Sequence, residues 1–252
     1  MQRYFVDQVL TTDDDPIYIE AADHHHLARV MRMTTGDQVY IVFADNQFCT
    51  AEIVSVSEDK TLLKLVEWQT NNPELPIAIT IASGLPKGDK LEWIVQKGTE
   101  LGADSFIAFP SDRSIVKWDA KKTEKKRERL QKIAKEAAEQ SHRVHVPTIT
   151  TLASGKQLAE RCGEYDAVVV AYEESAKANE KAVLASVFAA LRPGMRLLVI
   201  FGPEGGISEQ EIQLFKAQKA HFAGLGPRIL RTETAPLYLL AAASYQFELN
   251  NE

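Results

Sequence analysis

From residue 77 onward, short apolar runs alternate with segments of helical periodicity, and few architectures accommodate that alternation. Ile77–Ala82, Ser105–Phe109, Ala167–Ala171 and Arg196–Phe201 read as strands buried on both faces. Lys87–Leu101, Ala120 to about Ser141, Glu180–Leu191, Ser208–Lys219 and Pro236–Phe247 read as helices. In the second of these, Leu130, Ile133, Ala134, Ala137 and Ser141 share one face. Continuously apolar strands separated by helices predict a largely parallel sheet with helices on both faces.

The first 70 residues follow another rule. Gln38–Ala44, Gln47–Ser55 and Thr61–Trp68 are rich in β-branched and aromatic residues and are separated by polar turns. One helix interrupts them, capped by Asp23, running from His24 to about Met33 and closed by Thr35-Gly36-Asp37. Short strands with one helix predict a small β-barrel. The polar, proline-punctuated segment 71–76 separates it from an α/β domain over 77–252. Cys49 and Cys162 are isolated, so neither a disulfide framework nor a zinc site is expected. No apolar run approaches the roughly 18 residues of a membrane span, and Met1–Asp7 lacks a signal-peptide core. A cytoplasmic protein that contacts no membrane is expected.

Charge is unevenly placed. Residues 1–70 hold five Lys/Arg against twelve Asp/Glu, whereas residues 111–145 hold eleven against six. A basic face inside an acidic protein is either a phosphate footprint or a solvated helix surface. His24, His25 and His26 are consecutive, and helical neighbours point about 100° apart, so they cannot share one ion. They read as surface or RNA-facing imidazoles, and no metal is expected.

Two glycine-proline segments lie where strands give way to helices: Phe201-Gly202-Pro203-Glu204-Gly205-Gly206-Ile207, and Leu225-Gly226-Pro227-Arg228-Ile229-Leu230-Arg231-Thr232-Glu233-Thr234-Ala235. Open α/β sheets bind small molecules at such switches. Ser208 and Glu211 have capping-box spacing. Thr232 and Thr234 offer hydroxyl caps for the last helix. Arg228 and Arg231 suit bidentate phosphate or carboxylate contact, or equally a structural pair with Glu204 or Glu233. Gly84–Lys90 lacks the spacing of a phosphate loop, and no G-x-G-x-x-G follows the first strand.

The ordered set Gly84-Leu85-Pro86-Lys87, Gln96–Gly102, Glu139-Gln140-Ser141-x-Arg143, Gly202–Gly206 and Leu225–Ala235 closely resembles the RsmE family of ribosomal RNA small-subunit methyltransferases, of the SPOUT class. His25-His26-Leu27-x-x-Val30-Met31-Arg32 is similar to that family's PUA-like domain, and the resemblance covers nearly the whole chain. It implies a PUA-like β-barrel followed by a SPOUT α/β domain with a deep trefoil knot, in a homodimer. It also implies methyl transfer from S-adenosylmethionine to N3 of a uridine in 16S ribosomal RNA.

The implied cofactor residues are Ala171, Tyr172, Glu173, Phe201, Gly202, Pro203, Glu204, Gly205, Gly206, Leu225, Gly226, Arg228, Ile229, Leu230, Thr232, Thr234 and Ala235. Arg228 and Arg143 are candidates to stabilise charge on the uracil carbonyls or to contact phosphate, with Glu139 or Glu204 orienting them. No general base stands out. RNA contact is expected from Arg29, Arg32, Lys87, Arg113, Lys117, Lys121, Lys122, Lys125, Lys126, Arg127, Arg129 and Arg143. The acidic first 70 residues depart from a simple RNA-binding module, and His142 stands where the family commonly has glycine. Rival readings are a SPOUT methyltransferase acting on a ribose hydroxyl or transfer RNA, and a non-catalytic RNA-binding assembly factor. The last helix, apolar nearly all round, is expected either at a dimer interface or wholly inside one subunit.

Overall fold

The computed structural model describes residues 1–172 and 183–250. The apolar runs of the first 70 residues form β3 (Gln38–Val42), β4 (Phe48–Val56) and β5 (Lys60–Gln69). Two further strands, β1 (Arg3–Phe5) and β2 (Ile17–Glu20), complete a sheet of order β1-β3-β4-β5-β2, parallel only between β1 and β3. Alternate residues point inward, so Tyr4, Ile17, Ile19, Val39, Ile41, Ala51, Ile53 and Leu63 make one core. Register shifts in the β4–β5 pair, at Thr50/Ala51 and Ile53/Ser55, bend the ribbon. The sheet curls into a half-barrel with β1 and β2 as its edges, where a barrel was expected.

Helix α1 (Ala21–His25) continues as a π-turn through His26–Val30. It starts after Glu20, so Asp23 lies in its first turn and does not cap it. His24 is buried, its Nδ1 2.9 Å from Thr61 Oγ1 and its Nε2 3.2 Å from the Glu58 carbonyl. The expectation of a surface imidazole there is corrected: a buried ring needs polar partners, and the β5 region supplies them. His25 and His26 stay exposed.

The chain divides into two units, and Ala138–His145 belongs with Met1–Glu74. Its helical residues end in a Schellman motif. The Arg143 N–H donates to the Ala138 carbonyl at 2.9 Å, and the His142 N–H to that of Glu139 at 3.4 Å. His142 has φ of +59°, the left-handed conformation that explains why glycine suits this position. Its ring meets Tyr40 edge-on at 5.9 Å.

Arg143, 3% exposed, is held by Glu74 through Nε–Oε2 at 3.0 Å and through Nη2. Glu74 Oε1 also accepts the N–H groups of Val144 (3.0 Å) and His145 (3.2 Å). From β1, Arg3 Nη1 donates to the carbonyls of His142 (2.7 Å) and Arg143 (2.9 Å). Burial pushes the Arg3 guanidinium below its ordinary value, against the opposing pull of Tyr40 and Glu74. The segment read as a bare linker therefore carries an anchoring carboxylate.

Among the described residues, the second unit holds six parallel strands: β6 (Ala78–Gly84), β7 (Ser105–Phe109), β8 (Thr148–Thr151), β9 (Ala167–Ala171), β10 (Arg196–Phe201) and β11 (His221–Ala223). Their order is β11-β9-β10-β6-β7-β8. One face, with Ile79, Ile81, Val169, Leu197 and Val199, packs on α2 (Lys90–Glu100), α3 (Ala120–Gln140), α5 (Val183–Ala190) and α7 (Thr234–Ser244). The other, with Ile107, Val168, Val170, Leu198 and Ile200, packs on α4 (Gly155–Glu160) and α6 (Glu209–Ala217). The parallel sheet covered on both faces follows the expected alternation.

Candidate functional site

In the strand order, β9 lies beyond the position that β10 later fills, so direction switches where β6, β10 and β9 adjoin. A ligand crevice belongs outside the carboxyl ends of strands at such a point. A cavity of about 460 Å3 lies there, lined by Ala171 and Tyr172 after β9, Phe201 to Ile207 after β10, Arg113 after β7, and Ile229, Leu230, Thr232 and Ala235 before and within α7. Its size falls in the range of about 300–1,000 Å3 common for small-molecule sites.

Residues 201–207, at and beyond the end of β10, line this cavity, and three of them are glycines. A methyl at Gly202 would sit 2.7 Å from the Gly206 carbonyl carbon and 3.0 Å from the Ile207 nitrogen, so the turn closes only on glycine. Gly206 has φ of +73°, and its N–H donates to the Pro203 carbonyl at 2.8 Å. The capping box that follows is formed: Ser208 Oγ accepts from the Glu211 N–H at 3.1 Å, and Glu211 Oε2 accepts from the Ser208 N–H at 3.0 Å. Glu211, 2% exposed, also accepts Ser111 Oγ (2.9 Å) and the Asp112 N–H (3.2 Å), tying the loop after β7 to the start of α6.

Lys90, the first residue of α2, joins two of the loops. Its Nζ lies 2.8 Å from Glu204 Oε1 and 3.3 Å from Glu233 Oε2. The hydrogen bond it donates to Glu204 holds the Lys90 ammonium above its ordinary pKa. Burial works against ionisation of Glu204, but hydrogen bonds from Lys90 and from backbone N–H groups outweigh it and keep the carboxyl below the usual range. Glu204 and Glu233 thus pair with Lys90, where Arg228 or Arg231 was an expected partner; the lysine is the cation whose helix starts beside both loops. Glu233 occupies the α7 cap position and makes no side-chain capping bond, so the cap falls between the two threonines and not on the hydroxyl of Thr232 or Thr234.

Twelve of the expected cofactor residues line the cavity: Ala171, Tyr172, Phe201, Gly202, Pro203, Glu204, Gly205, Gly206, Ile229, Leu230, Thr232 and Ala235. Leu225 and Gly226 line a separate cavity of about 380 Å3 with Phe188, Tyr238 and Tyr245. Arg228 and Thr234 are exposed and outside the lining, and Glu173 lies outside the described residues. Arg143 and Glu139 belong to the first unit, where Arg143 is bound to Glu74, and neither is among the residues lining this cavity. Ile207, Glu209, Ile212 and Arg113 complete the lining. From sequence, Arg113 reads as an RNA contact, Ile207 belongs to the glycine segment without a cofactor role, and Glu209 and Ile212 carry no assignment; their place flanking a glycine loop was the available signal.

On α3, Lys121, Lys122 and Lys125 are exposed. Lys126 and Arg129 both bind Glu92, and Arg127 binds Glu124, so part of the expected basic face is neutralised locally. Arg29, Arg32 and Lys87 are exposed. Among the described residues no cluster of His, Cys, Asp and Glu could hold a metal, and no helix is long and apolar enough to cross a membrane.

A family model described as RNA methyltransferase domain matches residues 73–244, and one described as RNA methyltransferase PUA domain matches residues 19–66. The chain is 51% identical over 251 residues to the ribosomal RNA small subunit methyltransferase E of Bacillus subtilis (strain 168), covering 99% of this chain and 98% of that protein. A crystal structure of a ribosomal RNA small subunit methyltransferase E from Neisseria gonorrhoeae bound to S-adenosyl methionine is 25% identical, with a TM-score of 0.84 over 98% of each chain. A methyltransferase from Legionella pneumophila in complex with the same cofactor is 26% identical, with a TM-score of 0.82 over 96% of each chain.

Proposed function

The chain belongs to the ribosomal RNA small subunit methyltransferase E family, and from that premise we propose that it transfers the methyl group of S-adenosylmethionine to N3 of a uridine in 16S ribosomal RNA. The observation that carries the reading is the glycine-walled cavity at the switch point, in a fold shared with cofactor-bound relatives. The cavity fits the cofactor's chemistry. Backbone N–H and C=O groups of 201–207 suit the edges of an adenosine and of an amino acid, and Ile212, Ile229 and Leu230 offer apolar contact. Glycine at 202 lets the 202–207 turn close on itself, which fixes the shape of this wall of the cavity.

When bound, the cofactor supplies an electrophilic sulfonium methyl. The chain's own work is then to hold the uridine in line with that methyl, exclude water, and favour loss of the N3 proton. Exposed Lys121, Lys122 and Lys125, with Lys87, Arg29 and Arg32, would contact phosphates, so RNA binding should weaken as salt rises. Insertion of β10 between the earlier strands β6 and β9 supports a threaded, knotted chain. A ribosomal substrate makes the cytoplasm the place of action.

Lys90→Met should leave the protein folded and raise the dissociation constant for S-adenosylmethionine about 3–10-fold, because two cavity loops lose their shared cation. Titration calorimetry checks this, and unchanged affinity would show that the clasp is incidental. We also propose a homodimer. Tyr238 on α7 and Tyr245 beyond it are exposed and line the second apolar cavity, and Leu249 further along is exposed as well. Sedimentation should give twice the 28.1 kDa chain mass, and a single-chain mass would contradict it.

The activity is tested by incubating the protein with methyl-labelled S-adenosylmethionine and, separately, small subunits, large subunits and transfer RNA. Label should enter small-subunit RNA. Label confined to transfer RNA, or none, would overturn the reading.

A further inference from the structure

We propose that Arg113 is a catalytic residue: its guanidinium contacts the target uracil's carbonyl oxygens and stabilises the charge they gain when N3 is deprotonated. This rests on the N3-methylation reading above. Among the described residues Arg113 is the one cation lining the cavity, in company with the carboxylates of Glu204 and Glu209. Lys90 is engaged by Glu204 and Glu233, and Arg228 and Arg231 are not part of the lining.

Arg113 is firmly placed. Its Nη1 donates to the Gly205 carbonyl at 3.0 Å, and an added methyl at Gly205 would stand 3.1 Å from its Cβ. The residues before it are fixed by the buried Glu211, which takes Ser111 Oγ and the Asp112 N–H, while Ser208 Oγ donates to Asp112 Oδ2 at 2.5 Å. One guanidinium N–H is thereby used for positioning, and the fork retains donors for a planar acceptor. Arg113 is also exposed, whereas Phe201 at the end of β10 is buried. The cation therefore stands at the mouth, which a nucleotide reaches, and not on the floor.

The chemistry asks for such a group. Uracil N3–H is only weakly acidic, and its loss to water places negative charge on the flanking O2 and O4. The N3 electron pair then forms the new N–C bond, the C–S bond breaks with its pair to sulfur, and S-adenosylhomocysteine leaves. A fixed cation at those oxygens stabilises the anion and the transition state that follows.

The test compares wild type, R113Q and R113K on small subunits across about pH 6–10, with nucleoside analysis of the product and separate cofactor titration. R113Q should lower kcat about 100-fold, keep S-adenosylmethionine affinity within about threefold, and continue gaining rate at a pH where wild type has levelled. R113K should recover part of the loss. A raised KM with unchanged kcat would make Arg113 a phosphate contact and overturn the proposal, as would a loss explained by weaker cofactor binding. Wild type yielding 3-methyluridine no faster than R113Q overturns the Arg113 role alone. A ribose-methylated product overturns the N3 reading and this role together, since no base anion would form.

Discussion

Gly202→Ala is expected to abolish useful S-adenosylmethionine binding, raising the dissociation constant about 100-fold or more. The reason is local and steric. The new methyl would lie 2.7 Å from the Gly206 carbonyl carbon, 3.0 Å from its Cα and 3.0 Å from the Ile207 nitrogen, all of them backbone atoms. No flexible side chain can move aside, so the 202–207 turn must open, and that turn lines the cavity. Gly163→Ala serves as the control, because nothing lies within 4 Å of its added methyl. Titration calorimetry of both variants checks the claim. Native-like affinity in Gly202→Ala would remove the glycine loop from the cofactor site.

The second large effect concerns stability. Glu74→Ala should destabilise the first unit by about 3–5 kcal/mol, the usual consequence of removing one partner from a buried ion pair. Arg143 is 3% exposed and would lose the Glu74 carboxylate from its buried guanidinium, while the Val144 and His145 N–H groups would lose the Glu74 oxygen that accepts from both. Glu74→Gln should cost less, since an amide oxygen still accepts. Hydrogen exchange of β1 and of residues 138–145 reports on this unit specifically. A change below about 1 kcal/mol would show that the pair is replaceable by water.

The parts of this molecule legible in sequence are those governed by local rules. β7, β9 and β10 have the ends that apolar runs suggested, because strands buried on both faces leave no polar residue inside the run. The Ser208–Glu211 capping box is likewise a matter of spacing. β1, β8 and β11 are three or four residues long and too short to show a period. α1 began earlier than Asp23 suggested, since a good capping residue does not oblige a helix to start there.

Site residues divide the same way. The glycine loop announces itself, and most expected cavity residues follow from it. The contacts that organise it do not: Lys90 reaches Glu204 and Glu233, and Glu211 reaches Ser111 and Asp112, across about a hundred residues or more. Such pairings arise from the order of strands in the sheet, and no single sequence displays that order. Arg143 illustrates the converse. Its motif pointed to the reaction, and the motif gave no sign that its side chain pairs with Glu74, 69 residues away.

The most direct test of the central claim is the identity of the nucleoside made when the protein, S-adenosylmethionine and native small ribosomal subunits are combined. Mass spectrometry of the digested 16S RNA should find 3-methyluridine, absent when protein or cofactor is omitted. A 2′-O-methyl nucleoside in its place, or no new modification with cofactor demonstrably bound, would contradict the account.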